Sequence, residues 1–266
     1  MAMDLGLAGK QAFVSGSTAG IGLAIAQALA REGAHVIVNG RSQGRVDEAL
    51  AKVRAAAPAA KVSGVAADLG TEAGAKALLA AVPAVDILIN NLGIFEPKAF
   101  LDIPDEDWRK FFEVNVLGGV RLTRAYLPGM LAKNWGRVVF ISSESAVQIP
   151  AEMIHYGMTK TAQIAIARGI AESIAGTGVT VNSVLPGPTA SEGVGGFVED
   201  LARAHGKSKA EVEGDFFRDM RPSSLIKRFA TVDEVAALVA YVCGVPASAT
   251  TGAALRVDGG VVRAIL

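Results

Sequence analysis

The stretch QAFVSGSTAGIG, Gln11 to Gly22, decides the fold. Its first half is an apolar run of strand length. Its second half sets glycines 16, 20 and 22 among small and hydroxylated residues, and Ile21 to Arg31 then continues with apolar residues every three and four positions. That pattern reads as strand, tight turn and helix in immediate succession. Gly16 permits the sharp turn, Gly20 lets backbone approach a phosphate, and Gly22 lets helix and sheet pack closely. A helix opening straight from such a turn offers free N–H groups and the positive end of its dipole to a pyrophosphate. Ser17 and Thr18 add hydroxyls that either contact the ligand or cap the helix.

The same rhythm runs outward along the chain. HVIVNG, KVSGVAAD, VDILINN, GRVVFISS, GVTVNSVLPG and AALRVDGG read as further strands. Helical segments separate them at Val46 to Ala56, Thr71 to Ala81, Asp105 to Lys133 (one long helix) and Tyr156 to Ala175. Runs that are apolar throughout, rather than alternating, mark strands buried on both faces. The expectation is an α/β, three-layer, doubly wound (Rossmann) fold with a seven-stranded parallel sheet, its ligands beyond the carboxyl ends of the strands. No linker or repeat interrupts it, so residues 1–266 are read as one domain. The exception is 190–221, which has no strand but a glycine-bearing start (SEGVGG) and a polar helical stretch. Placed after the sixth strand, it would cover the binding edge as a substrate lid.

Bulk properties narrow the function. The 26 basic side chains balance the 26 acidic ones over 266 residues, which argues against nucleic acid or an acidic membrane surface as the main partner. Cys243 is the single cysteine, so no internal disulfide can form and a reducing compartment is expected. The start lacks the pattern of a secretory signal, and no apolar run reaches the roughly 20 residues of a membrane span. A cytoplasmic protein is the expectation.

The stretch HYGMTKTAQ, 155–163, carries the chemistry: Tyr156 and Lys160 lie one turn apart on a helix face. With the three-then-one spacing of the glycines, it makes the chain resemble the short-chain dehydrogenase/reductase family, whose motifs are T-G-x-x-x-G-x-G and Y-x-x-x-K. Ser15 stands where threonine is usual. The resemblance covers nearly the whole chain. By it, Asn115, Ser143, Tyr156 and Lys160 are the catalytic set. Cofactor contacts fall to Gly16, Ser17, Thr18, Gly20, Ile21, Gly22, Asp68, Leu69, Asn91, Gly93, Tyr156, Lys160, Pro186, Gly187 and Thr189, with Ser191 near. NNLG replaces the family's N-N-A-G, so Leu92 adds bulk beside the cofactor floor. The implied mechanism has Lys160 lowering the Tyr156 phenol's proton affinity and gripping the nicotinamide ribose. Ser143 holds the substrate oxygen, and Asn115 holds a water that links Lys160 to solvent. No metal is called for: histidines 35, 155 and 205 are scattered, and His155 reads as a pocket or surface residue.

Cofactor choice is read at VIVNGRS. No carboxylate occurs from Val36 to Arg45, and Arg41 suits the extra phosphate of NADP, so NADP(H) is favoured over NAD(H). The expected activity is interconversion of a carbonyl and a secondary alcohol, with apolar pocket walls at Phe95, Val147, Ile149, Pro150 and Met153. One alternative is a 3-oxoacyl-[acyl-carrier-protein] reductase, for which Arg121, Arg124 and Lys133 would form a docking patch. Another is a non-catalytic dinucleotide-binding redox sensor. The family implies a homo-oligomer, dimer or tetramer, with the glycines of NVLGGVRL allowing close helix contact.

Overall fold

In the computed structural model, residues 3–265 are described, without the side chains of 197–201, 204 and 205. The side chain of His205 therefore lies outside the described residues. Each expected strand forms, and the first half of the chain alternates strand and helix: β1 (Gln11–Val14), α1 (Gly20–Arg31), β2 (His35–Gly40), α2 (Gln43–Ala56), β3 (Val62–Ala66), α3 (Glu72–Ala81) and β4 (Ile87–Asn90). The second half adds α4 (Asp105–Phe112), α5 (Gly118–Ala132), β5 (Gly136–Ile141), α6 (Ile154–Ser173), β6 (Val179–Pro186), β7 (Thr189–Ala190), α7 (Glu192–His205), α8 (Lys209–Asp215), β8 (Ala230–Thr231), α9 (Val232–Cys243) and β9 (Ala254–Val257). Seven strands make one parallel sheet in the order β3-β2-β1-β4-β5-β6-β9.

Alternate residues of these strands point to opposite faces, and both faces are apolar. Ala12, Val14, Val36, Val38, Ile87 and Ile89 pack under α1, α2 and α9. Phe13, Ile37, Leu88, Val138 and Phe140 pack over α3, α5 and α6. On α2 the buried residues Val46, Ala49, Leu50 and Val53 recur at three and four, one stripe against the sheet. Burying one such side chain contributes roughly 1.5–3 kcal/mol. Two full layers of them hold the strand ends, and so the site, in place.

Three features depart from the sequence expectations. The long helix is interrupted by a π turn at Glu113–Leu117, between α4 and α5. Gly118 and Gly119 lie against the protein's own sheet: an added Cβ would come within 3.0 Å of the Leu69 carbonyl at one and of Phe140 at the other. They serve packing within the chain. Next, a two-residue ladder joins Thr189–Ala190 to Ala230–Thr231, at the edge of the segment expected to hold no strand. Last, α9 was not foreseen, although its start carries a capping box in which Thr231 and Glu234 satisfy each other's backbone N–H groups.

Candidate active site

The strand order reverses between β1 and β4, and the glycine turn sits there. Ser15 binds the two strand ends together. Its hydroxyl accepts the N–H groups of Asn91 (2.9 Å) and Leu92 (3.0 Å) and donates to the Ile89 carbonyl at 3.2 Å. Asn91 answers by donating its amide to the carbonyls of Ser15 and Gly16, both at 3.0 Å. Gly16 takes φ +59°, a conformation a side chain would resist. At Gly22 an added Cβ would lie 2.5 Å from both Asn91 Nδ2 and the Gly16 carbonyl, so α1 can approach this closely only without one. The helix opens at Gly20 after Ala19, which supplies no side-chain cap. Its first-turn N–H groups are left to an anion, the arrangement that fits a dinucleotide's pyrophosphate.

Several expected contacts change on this edge. The Ser17 hydroxyl donates to the Val14 carbonyl (2.7 Å) and accepts the Asn39 N–H (2.9 Å), fully buried, so it neither caps the helix nor faces a ligand. Only its backbone remains for that role. Thr18 packs its methyl against Gly40, where an added Cβ would come within 2.4 Å. Leu69 is 2 % exposed and belongs to the core, again leaving only backbone, while Asp68 beside it is exposed and accepts the Gly70 N–H at 3.1 Å. Leu92 turns inward against Gly16 and the core rather than over the cofactor floor. Arg41 is exposed one residue past β2.

An open cleft of about 310 Å³ lies beyond the carboxyl ends of the central strands. Ser143, Tyr156 and Lys160 share one wall; Asn91, Gly93 and Ile21 form the side toward the glycine turn, and Pro186, Gly187 and Thr189 close another. Lys160 Nζ is 5.6 Å from the centre of the Tyr156 ring and donates to the Ile141 carbonyl at 2.9 Å. The Ser142 hydroxyl donates to the Lys160 carbonyl at 2.8 Å, so the end of β5 is pinned to α6 and Ser143 is carried up beside Tyr156.

Burial dominates the electrostatics. It brings the Lys160 ammonium down to about 8. It pushes the Tyr156 phenol well up; Glu144 adds to that rise and the neighbouring Ser143 hydroxyl opposes it. In the protein alone the phenol is therefore held more firmly protonated than in water, the reverse of the acidification expected from Lys160.

Asn115 sits in the π turn, buried, with its side chain engaged: Nδ2 donates to the Ile94 carbonyl (2.9 Å) and Thr159 Oγ1 (3.0 Å), and Oδ1 accepts the Ile94 N–H (2.8 Å). It holds the loop after β4 against α6. Gln163 also links Lys160 toward Asn115: it accepts from Lys160 at 3.4 Å and donates to the Asn115 carbonyl at 2.6 Å. Gln163 was missed; its place one turn after Lys160 was the available signal. Glu144 and Arg221 were missed too. Both line the cleft and pair across it at 3.5 Å.

The expected pocket walls are half right. Phe95 and Met153 line the cleft, Phe95 meeting Tyr156 edge-on at 6.3 Å. Val147 and Ile149 are about half exposed and Pro150 is buried elsewhere, because the chain leaves the edge through short helical turns at Glu144–Ala146 and Ala151–Met153. Val194, Phe216 and Met220, from the segment after β7, supply the wall instead. His155 is neither pocket nor surface: its ring is buried against Phe111, centroids 4.1 Å apart, and burial lowers its proton affinity. Among the described residues no group of three or more metal-binding side chains forms, and no helix is long and apolar enough to cross a membrane.

The sequence pattern of the short chain dehydrogenase family matches residues 10–202. An uncharacterized oxidoreductase of Bacillus subtilis, YvaG, is 48 % identical over 99 % of this chain and 100 % of its own length. D-beta-hydroxybutyrate dehydrogenase of Cupriavidus necator is 34 % identical over 96 % of this chain and 98 % of its own. In three dimensions the chain is similar to the L-sorbose reductase of Gluconobacter frateurii, solved with NADPH and L-sorbose. The TM-score is 0.93 at 30 % identity, covering 99 % of this chain and 100 % of that one. The protein belongs to the short-chain dehydrogenase/reductase family, oxidoreductases acting on CH–OH and C=O groups.

Proposed function

We propose that this chain is an NADP(H)-dependent reductase of small-molecule carbonyls, running reversibly to the secondary alcohol, with Ser143, Tyr156 and Lys160 as its catalytic residues and Asn115 positioning them. The observation that carries this reading is the convergence of Ser143, Tyr156 and Lys160 on one wall of a cleft that also reaches the glycine turn. The residues there suit a nicotinamide dinucleotide: a glycine cradle that a Cβ would fill, a helix amino end for the pyrophosphate, and Gly93, Pro186, Gly187 and Thr189 at the far end. When bound, the nicotinamide exchanges hydride with the substrate carbon and, in its oxidised form, adds positive charge to the site.

The chain's own residues handle the proton. A phenol held firmly protonated is suited to donate to a carbonyl oxygen as that oxygen gains charge. Ser143 donates a hydrogen bond to the same oxygen and fixes it. Lys160, anchored by Ile141 and Gln163, supplies positive charge behind the ring and favours return of a proton from the alcohol in the opposite direction. The aromatic and aliphatic walls exclude water. The segment 190–221 acts as a substrate lid on a single domain of 266 residues, supported by the cleft contacts of Val194, Phe216, Met220 and Arg221.

Preference for NADP rests on Arg41 and the absence of a carboxylate at the end of β2. The solved relative's NADPH supports it. A 3-oxoacyl-[acyl-carrier-protein] reductase is the weaker reading: of the expected docking patch, Arg121 is half-buried and paired with Glu113, and Lys133, though exposed, is paired with Asp86, so its charges are partly neutralised by the protein itself. Exposed apolar side chains such as Phe112 and Leu225 favour a homo-oligomer, which sedimentation would size. The decisive test is a panel of ketones and alcohols assayed with each cofactor. NADPH should be preferred, and Arg41→Ala should lower kcat/KM for NADPH about 10- to 100-fold while sparing NADH, as loss of a charge-assisted phosphate contact predicts. Equal use of both cofactors by the parent protein would overturn the assignment.

A further inference from the structure

Next to Ser143 the chain places a buried carboxylate. The Glu144 side chain is 7 % exposed and turned into the cleft, and its two oxygens have different partners. Oε2 accepts the Ser143 hydroxyl at 2.5 Å. Oε1 faces Arg221 Nε at 3.5 Å. Arg221 is itself fixed: its Nη1 reaches Glu152 at 3.1 Å and the Met220 carbonyl at 2.8 Å. It is the last residue of the proposed lid, directly after the helical turn that ends at Met220, so this one guanidinium joins lid, Glu144 and Glu152.

A serine has one hydroxyl hydrogen. Here it is directed at Glu144, so Ser143 cannot at the same time donate to a substrate carbonyl. Redirecting it would leave Oε2 buried without a donor, which is costly for a carboxylate. The Tyr156 phenol is reserved for the substrate oxygen in the reading above, and the other nearby side-chain donors are engaged: Lys160 with Ile141 and Gln163, Asn91 with Ser15 and Gly16, Thr189 with Gly187. The missing donor has to arrive with the substrate.

We infer that Glu144 is the specificity-determining residue of the carbonyl pocket, and that the substrate is an uncharged ketone bearing a hydroxyl on the carbon next to the carbonyl. This rests on the carbonyl–alcohol reading above. The substrate hydroxyl donates to Glu144 Oε2, and the Ser143 hydroxyl turns to the carbonyl oxygen. The carbonyl and hydroxyl oxygens of such a molecule lie about one hydrogen-bond length apart, as Ser143 Oγ and Glu144 Oε2 do. Charge argues against other donors and acids. A substrate carboxylate placed at Oε2 would meet the Glu144 carboxylate directly, like charge against like, with the Arg221 guanidinium already shared between Glu144 and Glu152. An ammonium would be desolvated in a largely apolar cleft that already holds Lys160.

The test compares three ketones of equal heavy-atom count with the NADPH-loaded enzyme: butanone, hydroxyacetone and aminoacetone, which differ only in methyl, hydroxyl or ammonium beside the carbonyl. Hydroxyacetone should exceed both others in kcat/KM by about 10- to 100-fold, the value of one charge-assisted hydrogen bond. In Glu144→Gln the hydroxyacetone-to-butanone ratio should fall below about 3. A ratio within one variant cancels any general loss of active protein. A second readout needs no turnover: hydroxyacetone binding to Tyr156→Phe, followed by NADPH fluorescence, should weaken about 10-fold or more when Glu144→Gln is added. Turnover of hydroxyacetone and butanone at equal efficiency, or a preference that survives Glu144→Gln, would overturn the inference while leaving the carbonyl–alcohol reading intact. Preference for aminoacetone would overturn it in favour of a cationic substrate. Failure to reduce any ketone with either cofactor would remove both.

Discussion

Gly22→Ala is the sharpest probe of how this edge is built. The new methyl carbon would sit 2.5 Å from Asn91 Nδ2, 2.5 Å from the Gly16 carbonyl and 3.0 Å from Ser17 Cα. Two of these three atoms are backbone and cannot swing aside, so α1 has to move or Asn91 has to leave. Overpacking of this kind costs about 1–3 kcal/mol. Losing the two Asn91 hydrogen bonds, to Ser15 and Gly16, adds about 0.5–1.5 kcal/mol each. Alanine's better helix propensity returns about 1 kcal/mol. The net is a loss of about 1–5 kcal/mol, and each kcal/mol lowers the melting temperature of a chain this size by roughly 2–4 °C. Calorimetry on the cofactor-free protein measures it. Gly169→Ala, also within a helix (α6) but with nothing within 4 Å of the added methyl, is the control and should gain about 1 kcal/mol. A Gly22→Ala protein as stable as its parent would refute the close-packing argument.

Two further outcomes follow from buried polar groups. Ser15→Ala leaves the Leu92 N–H without its acceptor and the Asn91 N–H with only the Ile89 carbonyl, and should cost about 1–3 kcal/mol, read by denaturant unfolding. Lys160→Met should stabilise the cofactor-free protein at pH 7 by about 1–3 kcal/mol, because burial lowers the ammonium from 10.5 to about 8 and folding must desolvate it. Between those values the folded parent binds fewer protons than its unfolded chain, so parent stability rises with pH and the variant's advantage fades above about pH 8. An advantage independent of pH across that window would show that Lys160 is not charged at a cost.

Much of this was legible because it is written in local pattern. The strands show as β-branched runs, and the glycine spacing at 16, 20 and 22 marks the turn, since each of those steric demands falls on the residue that meets it. What escaped depends on partners distant in sequence. Asn115 reads as a helical asparagine until the π turn at Glu113–Leu117 swings it toward Ile94 and Thr159. Gln163 is unremarked until it bridges Lys160 and the Asn115 carbonyl. Glu144 and Arg221 are 77 positions apart, and only the fold of the segment after β7 brings them together. Ser17 misled because a hydroxyl in a glycine turn suits a ligand and a neighbouring strand equally well, and here the strand takes it. The miss at α9 was avoidable: the pair Thr231 and Glu234 followed by VAALVAYVC is a helix start in sequence alone.

The account stands most directly on the Tyr156 phenol as the group that exchanges a proton with substrate oxygen. Tyr156→Phe removes that oxygen and keeps the ring that packs against Phe95. Initial rates on a ketone the parent enzyme reduces, taken beside the NADPH dissociation constant, should show turnover falling by about 10²- to 10⁴-fold with cofactor affinity nearly unchanged. A variant that keeps more than about a tenth of the parent rate would contradict the central claim.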